Sequence, residues 1–310
     1  MITHPEKLLF PADGISKGEL AAYYRAIAPL MLPHLAGRPV TLERFPAGIE
    51  RKGFLQKNVA SGFPEWLKRV EVLHKQGAVH YPLIDDARSL EWLANQNCIT
   101  PHVWSSRHPT LDQPDLCVLD LDPSRDDPSE LRAAALAVRA LLEELELPSW
   151  VKTSGSKGFH IVVPLQPQTS YEDLWRFSHG VGAVLAQRHP ALLTQEFLKT
   201  ERAGRILIDT GRSGPGATFA AAYAVRPRPA APVSAPCTWR ELETGEAQPQ
   251  SFTLRTMAER VQRTGDPWAR LHSHGQSLAA PLQRLETMLS PEAWQSSLAA
   301  TTRRPKPRRK

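Results

Sequence analysis

LCVLDLD at residues 116–122, KTSGSKGFH at 152–160 and ILIDTG at 206–211 are the three runs on which the fold turns. The first is a short apolar run with alternating acids at its end, the length and pattern of a strand. Working outward from it, Asp127-Pro128 supplies a cap and a first-turn proline for a helix through LRAAALAVRALLEEL, ending at Leu147-Pro148. Trp150–Thr153 and Phe159–Pro164 read as strands flanking the turn SGSKG, and Ser170 with Asp173 starts a helix that ends near Arg188. Arg205–Asp209 and Phe219–Arg226 read as two more strands around the glycine-rich turn TGRSGPG. The order β-α-β-β-α-β is that of a split-βαβ, ferredoxin-like or RRM-like sheet, which puts the chain in the α/β (α+β) class.

On the N-terminal side, Ser16 with Glu19 forms a capping-box pattern, and Leu20, Tyr24, Ile27 and Leu30 follow at helical spacing before Gly37 stops the helix. Residues 38–110 are short strand-like and turn-rich pieces, including VTLERF, with a helix around Ala87–Gln96 entered through Asp85-Asp86. Those two acids read as metal ligands or, more commonly before an apolar helix, as N-terminal caps. On the C-terminal side, residues 227–250 are rich in proline and alanine and are expected to hug the surface, followed by a helical region to about Trp294.

At 310 residues and 41% hydrophobic content the chain can bury a substantial core as one large domain or two packed modules. No apolar run reaches the roughly 20 residues of a membrane helix, and the N-terminus lacks a signal-peptide layout, so a cytoplasmic protein with no membrane partner is expected. Cys98, Cys117 and Cys237 form no C-x-x-C pair, and buried small apolar residues are the expectation for them rather than a disulfide framework or a zinc site. The net charge of +6 equals the six positive charges of TTRRPKPRRK at 301–310, leaving residues 1–300 formally neutral. The high isoelectric point therefore describes a tail, expected to be disordered and either a salt-sensitive grip on phosphates or a solvated terminus.

Side chains alternate along a strand, so Asp120 and Asp122 share a face at the end of LCVLDLD, about 7 Å apart. On a half-buried strand such a pair costs free energy unless a cation neutralises it, which Mg²⁺ or Mn²⁺ would do through oxygen ligands; a solvated strand end is the plainer alternative. KTSGSKGFH packs hydroxyls, two glycines, Lys157 and His160 into one turn, the composition of a phosphate cradle but also of a polar β-hairpin, and it is not a Walker A loop. Asp209 ends the apolar strand ILI before a glycine turn, where an acid either completes a metal site or simply forms the turn. Three acids at strand ends beside a basic glycine turn fit nucleotidyl transfer with two metals.

In LDLDP, TSGSKGFH and ILIDTG the chain resembles the polymerase domains of bacterial DNA ligase D, in the archaeo-eukaryotic primase superfamily. The likeness runs from about Lys7 to about Thr264 through KLLFPADGISKGELAAYYRAIAPLMLPHLAGRP, GFLQKNVASGFPEWL and YPLIDDARSLEWLANQN. It implies a primase-polymerase fold over 1–264, with an N-terminal α/β module (1–110), a catalytic core (111–226) and a wrapping segment (227–264), then a helical extension (265–300) and the tail. By resemblance, Asp120, Asp122 and Asp209 are catalytic ligands of two Mn²⁺ or Mg²⁺ ions that align a primer 3′-hydroxyl with an incoming NTP or dNTP.

The same likeness assigns the triphosphate to Ser156, Lys157, His160 and Arg226, with Ser154 a weaker candidate, and the sugar to His102, in keeping with a preference for ribonucleotides. Lys7 and Lys17 match lysines that hold a DNA 5′-phosphate, with solvated charges as the alternative. Phe54 matches a ring that stacks on a template base, with core packing as the alternative. Leu55, Thr210 and Arg212 depart from the pattern, where the family usually has a second phenylalanine, an aromatic residue and an amide. The expected activity is template-directed filling of gaps and extension of broken ends in non-homologous end joining, by a free-standing module partnered by Ku and a separate ligase. A non-catalytic end-binding module and a primer-independent primase are the rivals.

Overall fold

The computed structural model describes residues 2–59, 62–75 and 77–300, without the side chains of 296–300; the expected tail at 301–310 lies outside the described residues. The contacts divide the chain into two units, each built from three stretches: a first unit of 1–111, 151–157 and 216–270, and a second of 112–150, 158–215 and 271–310.

In the first unit, strands β1 (Leu8–Phe10) and β2 (Ile15–Ser16) lead into helix α1 (Lys17–Leu35). Ser16 caps α1 by accepting from the Glu19 N–H, while the Glu19 carboxylate turns to Arg255 instead of completing a capping box. The buried stripe runs through Leu20, Tyr24, Ile27 and Met31; Leu30, expected there, is only partly covered because i+7 to i+11 from Leu20 continues the face at Met31. Tyr24 OH donates to the Ile99 carbonyl at 2.6 Å and Tyr23 OH to the Tyr223 carbonyl at 2.8 Å, which fixes the rotation of the helix about its axis.

Strands β3 (Val40–Arg44) and β4 (Phe54–Gln56) pair in the same unit, and β5 (Arg69–His74) and β6 (Gly77–Pro82) form a hairpin whose Val70, Tyr81 and Leu83 pack with Trp104. Helix α2 (Ala87–Asn95) starts in a reciprocal capping box between Asp86 and Ser89. Asp85 accepts from the Gly37 N–H at 2.9 Å and pairs with Lys68, so capping and turn-bracing account for both acids. Strands β7 (Cys98–Trp104), β8 (Ser106–Arg107) and β9 (Thr110–Pro114) follow.

The second unit carries β10 (Leu116–Asp122), helix α3 (Pro128–Glu144), β12 (Phe159–Pro164), helix α4 (Tyr171–Arg188), β13 (Leu193–Thr194) and β14 (Ile206–Asp209); β11 (Trp150–Thr153) precedes β12 in the chain. Four of these strands stand in the order β13-β14-β10-β12, with β10 antiparallel to both neighbours, as a split-βαβ sheet places its fourth, first and third strands. Leu116, Cys117, Val118, Leu119 and Leu121 are all buried, so β10 is covered on both faces and not half-buried as its terminal acids suggest. Burial of the thiols of Cys117 and Cys237 pushes both up to about 12, which leaves them protonated and inert.

Two segments differ from expectation. Phe219–Arg226 is a strand only at β15 (Thr218–Ala220), which joins the first unit's sheet in the order β15-β7-β3-β4. The run Ala220–Ala222 has little strand propensity, and the chain turns at Tyr223, whose φ of 66° is held by its N–H on the Ser234 carbonyl and its OH on Asp266. The middle of the proline- and alanine-rich stretch is not on the surface, although its flanks are: residues 231–237 are buried, and β16 (Pro236–Cys237) pairs with β11. Small side chains let it sink, and its N–H groups are satisfied by Ala224, Phe252 and Thr153. Helices α5 (Trp239–Thr244) and α6 (Met257–Thr264) belong to the first unit, α7 (Ala279–Met288) and α8 (Pro291–Ala300) to the second. Among the described residues no helix is long and apolar enough to cross a membrane.

Candidate active site

The antiparallel register of the second unit gathers the acids. Asp120 on β10 lies opposite Asp209 on β14 and opposite His160 on β12, so one cross-strand row holds two carboxylates and an imidazole; Asp122 sits two residues further along. Directly opposed like charges destabilise a ladder. Arg212 answers that cost for the opposed pair, and Arg202 pairs with Asp122. Arg212, on the 3₁₀ turn Thr210–Ser213, brings Nη2 to 3.3 Å and Nε to 3.4 Å from Asp120 Oδ2, and Nε to 3.8 Å from Asp209 Oδ2. Arg202 donates to Asp122 Oδ2 at 3.0 Å and to the carbonyls of Glu196 and Phe197, tying the loop before β14 to the end of β10. His160 Nε2 lies 3.5 Å from Asp120 Oδ1, and Asp209 Oδ1 accepts from the Gly211 N–H at 2.8 Å.

Thr210 is buried against His179. The His179 Nδ1–H donates to the Trp175 carbonyl at 2.8 Å, which leaves Nε2 to accept from the Thr210 hydroxyl at 3.1 Å. This fixes the turn that carries Asp209 and Arg212.

Among the described residues no three His, Cys, Asp or Glu side chains converge to hold a metal ion as they stand. The donors nonetheless fit a hard divalent cation: carboxylates on adjacent strands, with the Arg212 guanidinium standing between two of them as a positive charge in their midst.

A second polar group is built in the first unit. His102 Nε2 lies 2.8 Å from Glu43 Oε2, the two side chains coming from paired strands β7 and β3. Burial pushes the Glu43 carboxyl up, but His102, Arg226 and Thr100 together hold it below the usual carboxylate range. Arg226 Nη1 donates to the Ser154 carbonyl at 3.0 Å, and Ser154 Oγ accepts from the Ser156 N–H at 3.1 Å. Thus Arg226, Ser154 and Ser156 are hydrogen-bonded in series, the Arg226 charge also acts on the Glu43 that holds His102, and Lys157 is exposed. The glycines of this turn also serve the protein's own packing. A Cβ at Gly155, whose φ is +63°, would meet Arg226 Cγ at 2.5 Å, and one at Gly158 would meet the Leu121 carbonyl oxygen at 1.7 Å.

Lys7 and Lys17 form their own group. Lys17 is buried, donates to the Thr3 carbonyl at 2.6 Å, and has its ammonium pKa lowered by burial and by the charge of Lys7. That is no ordinary solvated lysine. Phe54 is 48% exposed with the Arg44 guanidinium 5.4 Å from its ring centroid, which excludes core packing; Leu55 beside it is also exposed. Glu43, Arg202 and Thr100 escape sequence reasoning, since nothing in their local pattern distinguishes them from other polar strand and loop residues.

A family model described as the LigD primase-polymerase domain matches residues 16–268. The multifunctional non-homologous end joining protein LigD of Mycolicibacterium smegmatis is 37% identical over 268 residues, covering 86% of this chain and 35% of that protein. LigD of Pseudomonas aeruginosa is 34% identical over 292 residues, covering 91% of this chain and 34% of its own length. The chain thus spans about a third of these curated relatives. Among solved structures, the polymerase domain from Mycobacterium tuberculosis ligase D in complex with DNA matches with a TM-score of 0.83 at 34% identity, covering 89% of this chain and 99% of that one.

Proposed function

The chain belongs to the LigD primase-polymerase domain family, and from that premise we propose that it is a template-directed nucleotidyltransferase that fills gaps and extends broken DNA ends in non-homologous end joining. The observation that carries this is the cross-strand row of Asp120, Asp209 and His160 with Asp122 beside it. Asp120, Asp122 and Asp209 would hold two Mn²⁺ or Mg²⁺ ions, which when bound supply charge neutralisation of the triphosphate and activation of the primer hydroxyl.

The chain's own residues position and screen. His160 braces Asp120 from the neighbouring strand. Ser156, Lys157, His160 and Arg226, with Ser154, are the proposed triphosphate contacts. Glu43 holds His102 in one orientation through its hydrogen bond, and His102 is proposed to meet the sugar and to favour ribonucleotides. The buried Lys17, with Lys7, suits a 5′-phosphate, because an anion restores the charge that burial disfavours. Exposed Phe54 offers a stacking surface to a template base. The proposed partners are DNA ends or gaps with a 5′-phosphate, Ku and a separate ligase, in the cytoplasm with the nucleoid.

Extension of a labelled primer across a gapped duplex bearing a 5′-phosphate, with Mn²⁺ and either NTPs or dNTPs, tests the proposal against the Asp120→Ala/Asp122→Ala double variant. Extension by the wild type alone supports it. DNA binding without extension under either metal would promote an end-binding module instead, and synthesis on an unprimed single strand would promote a primase.

A further inference from the structure

The two arginines among the acids are held very differently. Arg202 is 4% exposed and its donors are committed to fixed acceptors, the carbonyls of Glu196, Phe197 and Asp122 as well as Asp122 Oδ2. Removing it would dismantle a loop. Arg212 is 38% exposed, sits on a short turn, and approaches Asp120 and Asp209 at 3.3–3.8 Å. Charge-assisted hydrogen bonds close to about 2.7–2.9 Å when geometry is free to optimise. The Arg212 contacts to the two carboxylates are longer than that, and an exposed side chain on a turn can swing away from them.

We propose that Arg212 is a displaceable internal counterion: it neutralises the Asp120–Asp209 pair in the metal-free protein and must move aside for a divalent cation to bind, so it sets how much metal the enzyme needs. The inference rests on the proposed assignment of these acids as metal ligands. A guanidinium and a divalent ion cannot both lie between the same two carboxylates, so each bound metal ion is bought against the loss of the Arg212 contacts. That loss is the same whichever ion enters. Arg212 should therefore weaken Mn²⁺ and Mg²⁺ by a common factor and leave the ratio of their affinities unchanged, whereas a residue that shapes coordination geometry would alter the ratio.

The test is Mn²⁺ binding to the full chain without nucleotide or DNA, read from the electron paramagnetic resonance signal of unbound Mn²⁺, with Mg²⁺ as competitor. Wild type, Arg212→Gln, Arg212→Met, Arg212→Lys and Asp120→Asn/Asp209→Asn are compared, with thermal melts to verify folding. Arg212→Gln and Arg212→Met should each bind Mn²⁺ roughly two- to fivefold more tightly, the size expected for a partly exposed ion pair. Mg²⁺ competition should shift by the same factor, and Arg212→Lys should stay near the wild type. Unchanged or weaker Mn²⁺ binding by folded Arg212→Gln and Arg212→Met overturns the counterion role alone. Absence of Mn²⁺ binding in every protein, the acid double variant included, overturns the metal assignment and the counterion role with it.

Discussion

Asp120 and Asp209 are directly opposed across the β10–β14 ladder, two residues before the end of β10 and at the last residue of β14. A pair of like charges is a poor choice for stability, since opposed like charges cost a few tenths of a kcal/mol or more, roughly 0.2–1. Replacing one acid by its amide should therefore leave the fold intact while removing function. Asp209→Asn is expected to melt within a few degrees of the wild type and to extend a primer about 10²–10³-fold more slowly, as loss of a metal ligand costs several kcal/mol of transition-state stabilisation. Circular dichroism melts alongside single-turnover extension check this; a large drop in melting temperature would instead make Asp209 a structural residue.

Arg202 makes the opposite prediction. Its guanidinium is buried and bonded to Asp122 and two loop carbonyls. Arg202→Ala should destabilise the protein by about 2–3 kcal/mol, the range for losing hydrogen bonds to a charged group and stranding their partners. Arg202→Lys should rescue little, because one ammonium cannot reproduce a planar fork directed at several acceptors. Urea unfolding measures both.

The Glu43–His102 pair links pH to stability and to sugar choice. Burial alone would raise the Glu43 carboxyl, but His102, Arg226 and Thr100 hold it below the ordinary carboxylate range. A depressed folded-state pKa means that its stabilisation is complete above the unfolded carboxylate pKa and disappears as pH falls through the lower folded value. Glu43→Gln should therefore be less stable than the wild type at neutral pH, with the difference closing in acid below that range. It should also loosen the His102 ring and reduce the ratio of kcat/KM for NTPs over dNTPs by roughly three- to tenfold, the worth of one hydrogen bond. A ratio unchanged in Glu43→Gln would separate Glu43 from sugar selection.

For Lys17, burial and the neighbouring charge of Lys7 lower the ammonium pKa. The folded state thus sheds its proton at lower pH than the unfolded chain, and the intrinsic penalty of burying the charge is relieved as pH rises through the folded value. Binding of a 5′-phosphate needs the charged form. Preference for 5′-phosphorylated over 5′-hydroxyl gapped DNA should fade on the alkaline side before ordinary lysines titrate, and Lys17→Gln should abolish the preference at neutral pH. Fluorescence anisotropy with the two DNA ends across a pH series decides it.

Much of this was legible in the residues themselves, where local signals and tertiary demands agree. Asp127-Pro128, Ser170 and Asp86 cap the helices they were expected to cap, because capping is settled within four residues of the chain. Asp120 of LCVLDLD and Asp209 of ILID fall in one row, with Asp122 two residues on, because both apolar strands lie in the sheet's interior and pair near their Asp-bearing ends. What could not be read required distant partners. Val233 and Ser234 are buried although their neighbours are alanines and prolines, since acceptors for the segment's N–H groups come from Ala224 and Phe252. Gly155 and Gly158 answer to Arg226, Val233 and Leu121, none of which is within the turn. Arg202 reaches Asp122 from 80 residues away.

The exposure of Phe54 separates its contribution to function from its contribution to stability. A phenylalanine half in water with a guanidinium at 5.4 Å contributes little to the core, so Phe54→Ala should change stability by no more than about 0.5 kcal/mol. If the ring stacks on a template base, its removal forfeits about 1–3 kcal/mol, a loss of roughly 5- to 150-fold in affinity for gapped DNA. Phe54→Trp, which enlarges the aromatic face, should retain binding, and Phe54→Leu, matching its exposed neighbour Leu55 in apolarity but lacking a ring, should not. Equal binding by Phe54→Leu and the wild type would mean that the position needs only an apolar surface, and template stacking would have to be assigned elsewhere.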